Sequence, residues 1–214
     1  MDYLNEYKKK YGILNTDRFS WIRSHAPEGK KILDIGCCYG WTFQSYDHSN
    51  ITSVDLDDYS HRVPNFVRAN AQKLPFESGS FEIGVIGEIL EHQSTLEDSQ
   101  KVLSEALRVA ETVLLTVPNE YFWDDTTDKF KTFADELREN NNDMTDKAKF
   151  TAKFAKDIYT EDNYEHIFHH HSFSPEGIED LIKSVTDRDY YIFILPKDGD
   201  PSIGAAGTTA AIIQ

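Results

Sequence analysis

The chain has 214 residues, 39% of them hydrophobic and 13% aromatic, which suits one domain with a full core and excludes a disordered chain. A formal charge of −15 disfavours nucleic acid, whose phosphates call for basic surface, and leaves a small molecule as the favoured partner. No apolar run approaches the length of a membrane span. The N-terminal Met1-Asp2-Tyr3-Leu4-Asn5-Glu6 lacks signal-peptide character, and two adjacent cysteines cannot frame a disulfide scaffold, so a cytoplasmic protein is expected.

Taken in chain order, residues 1–30 read as a helical cap, with Tyr3, Leu4, Tyr7, Tyr11, Phe19, Trp21 and Ile22 at roughly helical spacing. Strands are expected at 31–35, 51–54, 65–68, 81–86 and 111–117. A helix should connect the first two, and Leu96, Val102, Leu103, Ala106, Leu107 and Ala110 mark one face of another before 111. Residues 119–167 depart from this pattern. Phe130, Phe133 and Leu137, then Phe150, Phe154 and Ile158, suggest two amphipathic helices inserted at the carboxyl edge of the sheet, where they would form a lid over substrate. Ser174 as N-cap and Pro175 at the first helical position start a further helix. Residues 190–195 and 207–213 read as two last strands joined by a long Pro/Gly/Asp-rich link over 196–204.

The informative turn follows the first strand: Ile32-Leu33-Asp34-Ile35-Gly36-Cys37-Cys38-Tyr39-Gly40. A dinucleotide fingerprint needs glycine at 38 and 41, where Cys38 and Trp41 stand, and no Gly-Lys-Ser/Thr follows for a phosphate loop. What remains is a nucleoside-binding half-sheet. Its second strand, Ile51-Thr52-Ser53-Val54-Asp55, ends in an acid able to accept hydrogen bonds from both ribose hydroxyls.

These residues resemble motif I of the class I S-adenosylmethionine (SAM) methyltransferases, with Cys38 in place of the usual middle glycine. Asn70-Ala71-Gln72, then Ser80-Phe81-Glu82 through Glu88-Ile89-Leu90-Glu91-His92, then Val113 through Asn119 are similar to the family's later motifs, in its order. The resemblance implies a Rossmann-like α/β fold in a single domain, 1–214: seven mostly parallel strands, the last antiparallel, with helices on both faces. It also implies SAM as cofactor and S-adenosylhomocysteine (SAH) as product. Asp34, Gly36, Cys37, Cys38 and Gly40 should then lie along the methionine side of the donor. Asp55 should hold the ribose, with Leu56 against the adenine face, and Asn70, Ala71 and Gln72 should meet the adenine edge. Gly87 and Glu88 should stand near the sulfonium, and the N-terminal cap should close over the cofactor.

A base is needed only if the acceptor loses a proton on attack, and Glu88, His92 and His171 are the candidates. A less favoured reading takes Glu88, Glu91, His92 and His170 as a Mg²⁺ or Mn²⁺ site, because Glu88-x-x-Glu91-His92 also resembles that of small-RNA 3′-terminal 2′-O-methyltransferases. The same fold can also serve a non-catalytic SAM-binding protein or a different nucleoside enzyme. Acceptor identity and oligomeric state are not encoded in these motifs.

Overall fold

The computed structural model describes residues 10–119, 121–124, 129–132, 173–195 and 207–214. In chain order the elements are β1 (Gly12–Ile13), α1 (Arg18–His25), β2 (Ile32–Ile35), β3 (Ile51–Asp55), β4 (Phe66–Arg68) and β5 (Phe81–Gly87). They continue with α2 (Leu96–Val109), β6 (Ala110–Asn119), β7 (Tyr121–Asp124), β8 (Lys129–Thr132), α3 (Pro175–Val185), β9 (Tyr190–Leu195) and β10 (Gly207–Ile213). Short 3₁₀ turns at His48–Asn50 and Leu90–His92 punctuate the loops.

Among the described residues, eight strands form one sheet in the order β1-β9-β10-β6-β5-β2-β3-β4. Neighbouring strands from β4 to β6 run parallel, whereas β10 is antiparallel to both β6 and β9. The strand order reverses beside β2: the chain moves outward through β3 and β4, then returns to the other side of β2 as β5. Such a switch point leaves a crevice at the carboxyl ends of the strands, the usual ligand position in an open α/β sheet.

Alternation along each strand sorts the core onto two faces. Leu33, Ile35, Ile86 and Leu115 pack with Val102, Leu103 and Ala106 of α2 and Ile178 and Ile182 of α3. Ile32, Val85, Leu114 and Ala210 pack with Trp21 and Ile22 of α1 and with Phe43. The helices start where local chemistry directs. Thr95 caps α2 by accepting from the Asp98 N–H, and Glu97 and Asp98 oppose the positive end of the helix. Ser174 caps α3 by accepting from the Gly177 N–H, with Pro175 in the first turn.

The structure differs from the sequence expectation in four places. The sheet has eight strands where seven were expected, because Gly12–Ile13 adds two residues parallel to the β9 edge. The cap expected over 1–30 is therefore partly strand, and helix α1 covers only Arg18–His25; residues 1–9 lie outside the described residues. No α-helix connects β2 to β3. The crossover is made by a turn that buries Phe43 and by a 3₁₀ turn capped by Asp47. Finally, the described part of the expected lid is a two-stranded antiparallel hairpin, β7–β8, with Phe130 opposite Trp123 in register. Phe130 is thus on a strand, not a helix. The rest of the 119–167 lid and the 196–204 link lie outside the described residues. Among the described residues, no helix is long and apolar enough to cross a membrane.

Candidate functional site

Three loops meet at the switch point, after β2, β3 and β5. The first is the glycine turn. The Gly36 and Cys37 N–H groups both donate to the Val54 carbonyl, at 2.8 and 3.0 Å, which ties the exit of β2 to β3. Gly36 has φ +73°, and a Cβ there would overlap the Ile89 side chain, so the loop after β5 lies directly on the turn. Gly36→Ala is accordingly expected to cost about 2–4 kcal/mol, from a disfavoured backbone region together with overpacking. A urea midpoint unchanged from wild type would contradict this.

Asp55 organises the second loop. Its carboxylate accepts from the Cys38 N–H at 2.9 Å and from the Asp57 N–H at 3.1 Å, so it braces the glycine turn and its own loop at once. Each carboxylate oxygen has further acceptor capacity, which leaves room for ribose hydroxyls. Cys38 is held at φ +45°, and its thiol donates to the Tyr59 hydroxyl at 3.8 Å. The third loop carries Glu88, at φ +59°, whose N–H donates to the Thr116 carbonyl at 2.9 Å. The Glu88 carboxylate pairs with Arg18 at the start of α1, at 3.1 Å. At the remaining corner, Gln72 donates to Gln93, and Gln93 donates to the Ile89 carbonyl, both at 3.0 Å.

Between these loops lies a cleft of about 330 Å³, within the size range of small-molecule and cofactor pockets. Of the residues singled out in the sequence, Gly36, Cys38, Asp55, Leu56, Asn70, Ala71, Gln72, Glu88 and His92 line it. Four others do not. Cys37 is buried, with its thiol toward the Cys38 carbonyl. Gly40 packs near Val63, Gly87 ends β5, and Asp34 lies buried in β2. The Asn70 side-chain oxygen, expected to meet the adenine edge, accepts from the Gln72 N–H at 2.8 Å. Its second lone pair keeps that role available. The sequence reading did not name Val54, Asp57, Tyr59, Ala69, Ile89, Gln93 or Ser94 as lining residues. Only Ile89 had a signal, as the apolar residue directly after Glu88.

The electrostatics are one-sided. Asp34 is 3% exposed, and its carboxyl is pushed up to about 7 by burial and then by the Asp55 charge. Burial also raises Asp55, with the Cys38 N–H pulling the other way. Burial raises the Cys37 thiol, reinforced by Asp34, so it stays protonated and unreactive at neutral pH. Burial likewise raises the Tyr59 hydroxyl, reinforced by Cys38. A carboxylate-edged cleft of this kind suits a cationic ligand. SAM fits on three counts: the close backbone approach at Gly36, the acid at the tip of β3 and the buried acid beneath.

The residues of the metal reading are only partly described. Glu91 is buried, with an oxygen 3.8 Å from His92 Nε2. Among the described residues, no group of three or more His, Cys, Asp or Glu side chains is arranged to hold a metal ion. His170 and His171 lie outside the described residues.

Comparison with known proteins agrees with this geometry. Residues 33–112 match the model of a family described as a methyltransferase domain. No curated protein matches significantly. Among solved structures, a SAM-dependent methyltransferase from Methanosarcina mazei is similar over 93% of this chain and 99% of its own, at 16% identity and TM-score 0.56. One from Thermotoga maritima, described as a possible histamine N-methyltransferase, is similar over 99% of this chain and 95% of its own, at 14% identity and TM-score 0.56. A small RNA methyltransferase is similar over 92% of this chain and 24% of its own, at 14% identity and TM-score 0.54. At these identities the likeness is one of fold. Residues 33–112 thus resemble a methyltransferase domain, the chain has the Rossmann-like fold of the SAM-dependent methyltransferases it is similar to, and SAM is the cofactor that this likeness implies.

Proposed function

We propose that this protein transfers the methyl group of SAM to a small-molecule acceptor. The observation that carries the reading is Asp55: a carboxylate at the tip of β3, braced by the Cys38 and Asp57 N–H groups, across from a glycine turn with no room for a side chain. Asp55 would hold the ribose hydroxyls. Leu56, 46% exposed at the cleft wall, would cover the adenine face, and Asn70, Ala71 and Gln72 would border its edge. Gly36 and Cys38 would border the methionine moiety, with Glu88 toward the sulfonium, while Asp34, Cys37, Gly40 and Gly87 would act from behind the cleft wall.

When bound, SAM supplies an already activated methyl group on a sulfonium. The protein's work is then mainly to position the acceptor and exclude water. Where the acceptor must lose a proton, Glu88 and His92 are the groups on the cleft wall able to take it, and His171 is a third candidate from the sequence. The charge of −15 and the carboxylate-edged cleft favour a neutral or cationic acceptor over a polyanion.

The second reading is a metal-dependent RNA 2′-O-methyltransferase. Glu88-x-x-Glu91-His92 and the fold shared with a small RNA methyltransferase favour it. Arg18 weighs against it, since a guanidinium 3.1 Å from Glu88 already supplies positive charge to that carboxylate. Calorimetric titration with SAH, with and without Mn²⁺, separates the two. Metal-independent binding in the micromolar range is expected. Binding only with Mn²⁺ would bring Glu88, Glu91, His92 and His170 forward as ligands and move the acceptor search to RNA ends. No binding in either condition would end the donor assignment.

A further inference from the structure

Glu88 is paired with a cation from a different part of the fold. Arg18 opens α1, and its Nη1 lies 3.1 Å from Glu88 Oε2. Both partners are anchored. Trp21 and Ile22 of α1 are each 1% exposed, Asp17 accepts from the Ser20 N–H, and Arg23 donates to the Thr42 carbonyl beyond the glycine turn. On the other side, the Glu88 N–H is bound to the Thr116 carbonyl, and Ile89 rests on Gly36. Glu88 and Ile89 line the same cleft as Gly36 and Cys38. A charge on Glu88 is therefore felt where the glycine turn meets a ligand.

Donor and product of the proposed reaction differ by one charge. SAM carries a sulfonium, whereas SAH carries a neutral thioether. A bare carboxylate near that sulfur would hold the donor more tightly than the product. It would also hold the ground state more tightly than the transition state, in which positive charge leaves the sulfur. Binding spent in this way slows the transfer. A guanidinium on the carboxylate cancels most of that field at a distance of several ångströms.

We propose that the Arg18–Glu88 pair sets the selectivity between donor and product, with Arg18 as the positioning residue that neutralises Glu88 at the sulfonium end of the cleft. The inference rests on the donor reading above. It makes the N-terminal segment part of the binding machinery rather than a cover for the sheet.

The test is a double-mutant cycle read by calorimetry: wild type, Arg18→Gln, Glu88→Gln and the double variant, each titrated with SAM and with SAH. The quantity compared is Kd(SAH)/Kd(SAM). Arg18→Gln removes one positive charge from beside Glu88 and is expected to raise the ratio about three- to tenfold. Glu88→Gln leaves the guanidinium unopposed and is expected to lower it by a similar factor. The double variant should return close to the wild-type ratio, and Arg18→Lys, which keeps the charge, should leave it unchanged. A merely structural role would weaken both ligands together and leave the ratio flat. A ratio constant within about twofold across the cycle, with SAH still bound, overturns the proposal. So does an Arg18→Lys ratio shifted like that of Arg18→Gln, since lost packing would then be the cause. Failure of the wild-type protein to bind SAH at all would remove the donor reading, and the inference with it.

Discussion

Asp55→Ala is expected to weaken SAM and SAH binding by about a hundredfold or more. Two losses combine. The hydrogen bonds that Asp55 would offer the ribose are charge-assisted, each worth roughly 1.5–3 kcal/mol. At about 1.4 kcal/mol per factor of ten, two of them account for at least that hundredfold. The second loss is local. Without the carboxylate, the Cys38 and Asp57 N–H groups lose the acceptor they share at 2.9 and 3.1 Å, and the glycine turn is no longer tied to the β3 loop through it. Asp55→Asn separates the two. Its amide oxygen still accepts one N–H, but its NH₂ faces a second donor, so an intermediate affinity is expected. Circular dichroism and thermal melting establish that each variant is folded. Calorimetry then reads the affinity. A folded Asp55→Ala protein that binds SAH within threefold of wild type would remove Asp55 from the ribose site.

What the sequence made legible was the part written in local chemistry. Asp55 was readable as a strand-tip acid because the short segment Ile51-Thr52-Ser53-Val54, bounded by β-branched Ile51 and Val54, ends there. Gly36 was readable because a strand exit that must bend sharply needs a residue tolerant of positive φ, and the observed +73° is that conformation. Ser174 and Pro175 announced the start of α3 for the same reason: a cap and its first turn are neighbours in the chain. Features made by distant residues left no such trace. Arg18–Glu88, Cys38–Tyr59 and Gln72–Gln93 each join loops that only the sheet order brings together. The missing helix between β2 and β3 has a different cause. Only Phe43 and Tyr46 stand at helical spacing there, too few for an apolar stripe, and Asp47 caps a 3₁₀ turn at His48–Asn50 directly before β3. β1 was invisible because two residues, Gly12 and Ile13, carry no periodicity. The helical reading of Phe130 failed because its spacing to Phe133 and Leu137 says nothing of the cross-strand pairing with Trp123.

The second large effect lies in the pH dependence of stability, and Asp34 should dominate it. The residue is 3% exposed. Burial and the nearby Asp55 charge push its carboxyl from 3.8 to about 7. The sign follows from proton counting. Below pH 3.8 the group is protonated whether folded or not, and it contributes no pH dependence. Between 3.8 and about 7 the unfolded chain has released this proton while the folded protein keeps it, so stability falls as pH rises. The slope is about 1.4 kcal/mol per pH unit, and the total approaches about 4 kcal/mol before levelling off above neutrality. Asp34→Asn, neutral throughout, is expected to remove most of this slope, so that the variant without ligand is more stable than wild type at pH 8 and similar to it at pH 4. Urea midpoints across that range check the expectation, and parallel curves for the two proteins would refute it. The same linkage bears on the donor. A cation held in the cleft that Gly36 and Asp55 line favours the ionised form of Asp34 behind it, so SAM binding near pH 6 should release a proton. Titrations in two buffers of different ionisation enthalpy would then give different heats for wild type and equal heats for Asp34→Asn. A carboxyl kept neutral by burial until a cation arrives ties the stability of the free domain to the occupancy of its cleft. The free protein is most strained by this group at the pH where the ionised carboxylate is most useful to a sulfonium ligand.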